Sequence, residues 1–216
     1  MSIKVAIIPV TPLQQNCTLM WCEDSRKGAV IDPGGEVDKI VDAINEAGVT
    51  IEHILLTHGH FDHIGGAMDL SERLGASITG PHKEDEFITR AVVSTGEMYG
   101  VPGGRDLEGN AWLEEGDKIT FGSVTLDVLH TPGHTPGHIV FYNAEGKIAQ
   151  VGDVLFKGAI GRTDFARGDL DTLISSITKK LWPLGADVTF IPGHGPTSTF
   201  GEERMSNLYV SDKALI

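Results

Sequence analysis

The sequence predicts a layered α/β domain with mixed sheets, and two observations carry that prediction. Short runs of β-type residues alternate with stretches of helical period, punctuated by glycine-rich segments. From Asp117 the alternation stops and four strand-like runs follow one another, a succession that a purely parallel sheet does not contain.

Taken in order, IKVAIIPV, NCTLMWC and GAVIDPGG read as three early strands. In EVDKIVDAINEAG, Val37, Ile40, Val41 and Ile44 share one helical face, and Gly48 supplies a stop signal. IEHILLTH is a strand by its branched residues. Residues 62–74 read as one helix, ASITG as a short strand, and HKEDEFITRAVVSTGEMYG as a helix with charge on one side. DKITF, SVTLDVLH, HIVFYNA and KIAQVGD are successive strands separated by turn residues. FKGAIGRTDFARGD is a glycine-rich loop. DLDTLISSITKKLW is an amphipathic helix capped by Asp169 and ended before Pro183, and DVTFIPGHG is a last strand and turn. No linker, low-complexity tract or tandem repeat interrupts the chain, so a single domain over residues 1–216 is expected.

The composition narrows the function classes. A chain of 216 residues can bury a core without disulfide staples. A net charge of −13 makes it a poor partner for nucleic acid or an anionic membrane surface. Cys17 and Cys22 lie five apart in a strand-like segment, so their side chains point to opposite faces and are expected to be buried, reduced thiols. MSIKVAIIPV lacks the features of a signal peptide, and no apolar run approaches the roughly 20 residues of a membrane span. A cytoplasmic protein without a membrane partner is expected.

The chemistry concentrates in THGHFDH, residues 57–63. His58 and His60 stand two apart at a strand end, where residues i and i+2 point the same way and can reach one ion. Asp62 and His63 are adjacent, diverge, and are free to serve a second ion. Further donors follow at other strand ends: His134 in TPGHTPGH, Asp153 in VGDVLF and His194 in PGHG. Strand ends in layered folds lie along one rim, where ligand sites form. Imidazole and carboxylate donors suit zinc, iron or manganese, and the absence of cysteine donors argues against a structural zinc site. The two oxygens of Asp153 suit it to bridge a pair of ions.

THGHFDH, with His134, Asp153 and His194 following in order, resembles the metallo-β-lactamase superfamily, from about Asp32 to Gly195. Within it the sequence is most similar to the short bacterial glyoxalase II-like hydrolases, also called hydroxyacylglutathione hydrolases, that lack a C-terminal helical domain. The resemblance implies a four-layer αββα sandwich. It implies a first metal on His58, His60 and His134, a second on Asp62, His63 and His194, and Asp153 bridging them. The cofactors would be two divalent ions, zinc first, with iron or manganese as alternatives. A hydroxide held between them and oriented by Asp62 would attack the thioester of a glutathione conjugate. Asp32 in VIDPGG matches a position that supports the metal site from behind. Arg162 matches a basic residue that contacts glutathione, although the aromatic expected two residues later is Asp164. Lys157, like Arg162 and Arg167, makes this loop basic and suited to a carboxylate-bearing substrate.

Two alternatives stay open. GRTDFARGD also resembles the persulfide dioxygenases of the same fold, whose single iron would here sit on His58, His134 and Asp153. A non-catalytic metal-binding module would keep the fold alone. His138 is expected to begin a strand and to be packed or hydrogen-bonded rather than ligating.

Overall fold

The computed structural model describes residues 3–215. Two sheets stand at its centre. The first holds β1 (Ile3–Val10), β2 (Gln15–Cys22), β3 (Lys27–Ile31), β4 (Thr50–Leu55) and β5 (Ser77–Thr79), in that spatial order. Pairing is antiparallel from β1 to β3 and parallel from β3 to β5. The second holds β6 (Lys118–Phe121), β7 (Val124–His130), β8 (Ile139–Asn143), β9 (Ile148–Gly152), β12 (Thr189–Pro192) and β13 (Ser198–Thr199), in the order β13-β12-β9-β8-β7-β6. In it only β9 and β12 run parallel. Both sheets are therefore mixed, as the strand pattern predicts.

Three apolar layers join these sheets to their helices. Met20, Cys22, Ile31 and Leu55 of the first sheet meet Phe121, Leu126, Val128 and Phe141 of the second. Cys17, Leu19, Val30 and Ile54 face outward, against Ile40 and Ile44 of helix α1 (Val37–Ala47) and against Ala67 and Leu70. On the far side Val151 and Phe190 pack on Leu173, Ile177, Leu181 and Phe200. The result is an αββα sandwich. Strands covered on both faces need apolar residues at successive positions, which is why residues 19–22 of β2 and 29–31 of β3 are uninterrupted apolar runs. Cys17 and Cys22 lie in different layers, both buried and unbridged.

The structure differs from the expected elements in four places. The helix over 62–74 is two, α2 (Phe61–Ile64) and α3 (Ala67–Leu74). They part at Gly65 and Gly66, where a Cβ would lie 2.8 Å from the Gly34 carbonyl and from the Pro33 carbonyl respectively. The turn after β3 thus packs directly onto the break. The helix over 82–100 is a 3₁₀ turn followed by α4 (Glu86–Thr89) and α5 (Val92–Met98). The glycine-rich loop contains a small hairpin, β10 (Leu155–Phe156) and β11 (Ala159–Ile160). Helix α6 (Leu170–Ser176) is capped as expected by Asp169, which accepts from the Thr172 N–H at 2.8 Å, but it gives way to a π-helical turn over Ile177–Leu181 and a 3₁₀ turn over Trp182–Leu184 that takes in Pro183. Beyond Gly195, β13 and α7 (Phe200–Ser206) complete the second sheet and its cover. Among the described residues no helix is long and apolar enough to cross a membrane.

Candidate metal centre

The loops that follow β4, β7, β9 and β12 meet at one rim of the sandwich. Two backbone bonds fasten them: Ile139 N–H donates to the Thr57 carbonyl at 2.8 Å, and Gly193 N–H to the Gly152 carbonyl at 2.8 Å. On this rim the seven candidate donors come together in two groups.

In the first group, His60 Nδ1 lies 3.0 Å from His58 Nε2 and 3.1 Å from His134 Nε2. In the second, His194 Nε2 lies 3.2 Å from Asp62 Oδ2, and His63 Nε2 lies 3.9 Å from the same oxygen. Asp153 stands between the groups. Its Oδ1 is 3.3 Å from His63 Nε2, while its Oδ2 is 3.7 Å from His134 Nε2 and 3.8 Å from His194 Nε2.

Hydrogen bonds behind the site choose the inward-facing nitrogens. The Thr57 hydroxyl donates to Asp32 Oδ2 at 2.7 Å, so its lone pair accepts from His58 Nδ1–H at 3.0 Å. His63 Nδ1–H donates to Asp32 Oδ2 at 3.0 Å, His134 Nδ1–H to the Arg162 carbonyl at 2.7 Å, and His194 Nδ1–H to the Leu13 carbonyl at 3.1 Å. Each of these four rings thus turns Nε2 into the site, the nitrogen that carries the lone pair when the ring is neutral, as in metal-ligating histidines. Asp32 thus hydrogen-bonds both Thr57 and His63 from behind the candidate donors. It is fully buried and holds a left-handed backbone (φ 52°), a conformation costly for a non-glycine residue and concentrated at functional sites.

The electrostatics divide the groups. Burial pushes His58 well below the ordinary imidazole range and His60 down to about 3, with neighbouring imidazoles adding to the effect. Burial lowers His134 as well. The first group therefore offers neutral rings, the form that binds a metal. Around the second, burial would push His63 down, but Asp153 and Asp62 outweigh it and hold the ring well above its usual range. Burial would raise Asp153, and His63, His134 and His194 instead hold it far below the carboxylate range.

These residues fit a cation. His63 Nε2 and Asp153 Oδ1 are buried without a hydrogen-bond partner, an expensive condition unless something positively charged answers them. Asp32, Asp62 and Asp153 all lie within 4 Å of a His63 ring nitrogen, and the donor set is nitrogen and oxygen only, which suits zinc, iron or manganese.

A cavity of about 580 Å³ opens onto the donors. Its floor is His60, Asp62, His134, Asp153 and His194. Phe87, Ile88 and Tyr99 form one wall, and Phe156, Ile160 and Phe165 the other. Arg162 reaches this lining, whereas Lys157 is exposed in the hairpin turn and does not. His138 is buried beside the site and accepts from the Asp153 N–H at 3.1 Å, a packed and hydrogen-bonded role as expected.

Two contributors escaped sequence reasoning. Phe165 packs edge-on against His60 and His134, with ring centroids 4.7 and 5.5 Å away. Asp85 is fully buried, and its Oδ1 accepts from Gly137 N–H at 2.6 Å. Its Oδ2 accepts from Gly59 N–H at 2.9 Å and from the Thr135 hydroxyl at 2.8 Å. One carboxylate thereby pins the loop of His58 and His60 to the loop of His134. Within HKEDE it reads only as exposed helix charge. Burial raises its pKa to about 6 against these three hydrogen bonds. Asp85→Asn offers a single acceptor oxygen, so one buried backbone N–H must face an NH₂ group. We expect a loss of about 1–3 kcal/mol in urea unfolding. Unchanged stability would show that the loops hold each other without it.

A model of the metallo-beta-lactamase superfamily matches residues 10–194. The chain is 44% identical over 212 residues to hydroxyacylglutathione hydrolase GloC of Haemophilus influenzae, across 98% of this chain and 100% of that protein. Among solved structures, the BLEG-1 B3 metallo-beta-lactamase superposes with a TM-score of 0.88 at 31% identity, across 96% of this chain and 99% of that one. TTHA1623, determined in a di-iron-bound form, superposes with a TM-score of 0.86 at 35% identity, across 94% and 99%.

Proposed function

The chain belongs to the metallo-beta-lactamase superfamily, and we propose that, as a metal-dependent hydrolase of the glyoxalase II type, it cleaves S-2-hydroxyacylglutathione thioesters to glutathione and a 2-hydroxy acid. The observation that carries this reading is the pair of donor groups joined through Asp153, with His63 Nε2 and Asp153 Oδ1 buried 3.3 Å apart between them and neither hydrogen-bonded. His58, His60 and His134 would hold one divalent ion, Asp62, His63 and His194 the other, and Asp153 both. Zinc is our first choice, with iron and manganese compatible with the same donors. We read the protein as one cytoplasmic domain, its two thiols free.

When bound, such an ion pair lowers the pKa of a water and polarises a carbonyl. The rest falls to the chain. Asp62, at the cavity floor and beside His194, orients the attacking oxygen toward the thioester carbon. Phe165 and the apolar walls shield the reacting atoms from bulk water. The leaving thiolate needs no strong acid, since a thiol ionises at a pKa of about 8.5. Arg162 faces the carrier thiol from the rim, and Lys157 meets only parts of the carrier outside the cavity.

The single-iron dioxygenase reading uses His58, His134 and Asp153 and leaves His63, Asp62 and His194 without an ion, with His63 Nε2 facing only Asp153 Oδ1 at 3.3 Å. That second complete donor group, with His63 Nε2 buried and lacking a hydrogen bond, favours a second cation.

The test is thiol release from S-lactoylglutathione, with metal content measured on the same sample. We expect turnover with about two metals per chain, lost on chelation and restored by divalent ions. Asp62→Asn should lower kcat about a hundredfold or more. A single iron with no thiol release, but oxygen uptake on glutathione persulfide, would replace this reading with the dioxygenase. Protein that takes up no stoichiometric metal would make it a non-catalytic module. A β-lactam belongs in the same assay as the counter-substrate, and faster cleavage of it would move the substrate class.

A further inference from the structure

The cavity that meets the donors is unlike a site for a charged carrier. Its walls are Leu13, Phe87, Tyr99, Phe156, Ile160 and Phe165. Among the described lining residues outside the donor floor, Arg162 is the one charged side chain, and it is already engaged. Its Nε and Nη2 both donate to Asp164, at 2.9 and 2.8 Å, and its guanidinium lies over the Phe165 ring at 4.7 Å. Asp164 neutralises the guanidinium and fills one of its two bidentate edges, so a substrate carboxylate meets a half-occupied, compensated cation. Arg167 lies over the Phe87 ring at 4.5 Å and so is turned to the rim. Glutathione carries two carboxylates and an ammonium, and outside the donor floor the lining offers them only the guanidinium that Asp164 already neutralises. A group beside the thioester carbonyl, by contrast, meets apolar surface on both sides.

We infer that the site selects thioesters carrying a bulky apolar group, aromatic or branched, next to the scissile carbonyl, and that it reads this group rather than the charges of the carrier. The inference rests on the thioester-hydrolase reading and specifies its substrate class. The apolar group has two sources, the acyl side or the thiol side. Phe87 and Tyr99 from the helical wall are specificity-determining residues in either case.

Two kinetic comparisons separate the sources. S-mandeloylglutathione against S-lactoylglutathione varies the acyl group on one carrier. S-lactoyl benzyl mercaptan against S-lactoylglutathione varies the thiol on one acyl group. We expect kcat/KM to favour the bulky member at least about tenfold in one comparison, which names the flank that enters the cavity. Phe87→Ala and Tyr99→Ala are partly exposed positions, and each should reduce that preference severalfold. Asp164→Asn should raise activity on glutathione thioesters more than on the N-acetylcysteamine thioester, with a gain that fades as salt is added. Equal rates, or faster cleavage of S-lactoylglutathione in both comparisons, would overturn the inference and leave the hydrolase reading standing. Binding of S-benzylglutathione against S-methylglutathione, measured by calorimetry, reads the cavity without turnover. Tighter binding of the benzyl thioether by about tenfold, with no thioester cleaved, would keep the apolar selectivity and remove the hydrolase. Equal binding with no cleavage would remove both.

Discussion

Asp153→Asn is expected to lower kcat/KM at least about a thousandfold, close to 4 kcal/mol of transition-state stabilisation, and to bring bound metal below two per chain. Asp153 faces His63 through one oxygen and both His134 and His194 through the other. An amide keeps the shape and removes the charge, and it turns one of these oxygens into a donor. Whichever way the amide turns, one donor group loses its shared ligand. The carboxylate is also the counter-charge that holds His63 above the ordinary imidazole range once burial is overcome. Elemental analysis beside the thiol-release assay checks both halves. A variant with two metals and a rate within tenfold of the parent would show that the groups do not share Asp153.

Gly193→Ala should be nearly as damaging, although it changes no donor. A Cβ at this position would lie 2.1 Å from Asp153 Oδ1 and 2.5 Å from His63 Cε1. The backbone has no room to retreat. Gly193 N–H donates to the Gly152 carbonyl at 2.8 Å, and the Gly193 carbonyl accepts from Asn16 N–H at 2.7 Å. The added methyl must displace Asp153 and His63 or break these anchors. We expect hydrolysis to fall about a hundredfold or more, because a displacement near 1 Å at the reacting centre is that costly. Overpacking should also lower stability by about 1–3 kcal/mol. Thermal unfolding with metal analysis separates the two effects. Native metal content and full activity would mean that the site yields more easily than this packing implies.

What the sequence determined by itself was chemistry that local pattern can carry. THGHFDH placed two histidines at an i, i+2 spacing and an Asp–His pair beyond them, and periodicity put His134, Asp153 and His194 at strand ends. The opposite facing of Cys17 and Cys22 followed from the two-residue period of a strand. The mixed sheets were legible because an uninterrupted succession of strands excludes a wholly parallel arrangement.

What only the tertiary structure decided depends on contacts between residues far apart in the chain. The split of 62–74 into two helices follows from the carbonyls of Pro33 and Gly34 packing on Gly65 and Gly66, which no helical period records. Asp85 joins Gly59 to Gly137 across gaps of 26 and 52 residues, so a local reading sees only a charge beside other charges. The engagement of Arg162 by Asp164 is local, yet its meaning depends on the apolar walls that distant loops bring around it. Residue types reveal which groups can bind a metal. Which of them share an ion, and what surface surrounds it, is set when long-range packing fixes distances that the chain's own spacing leaves free.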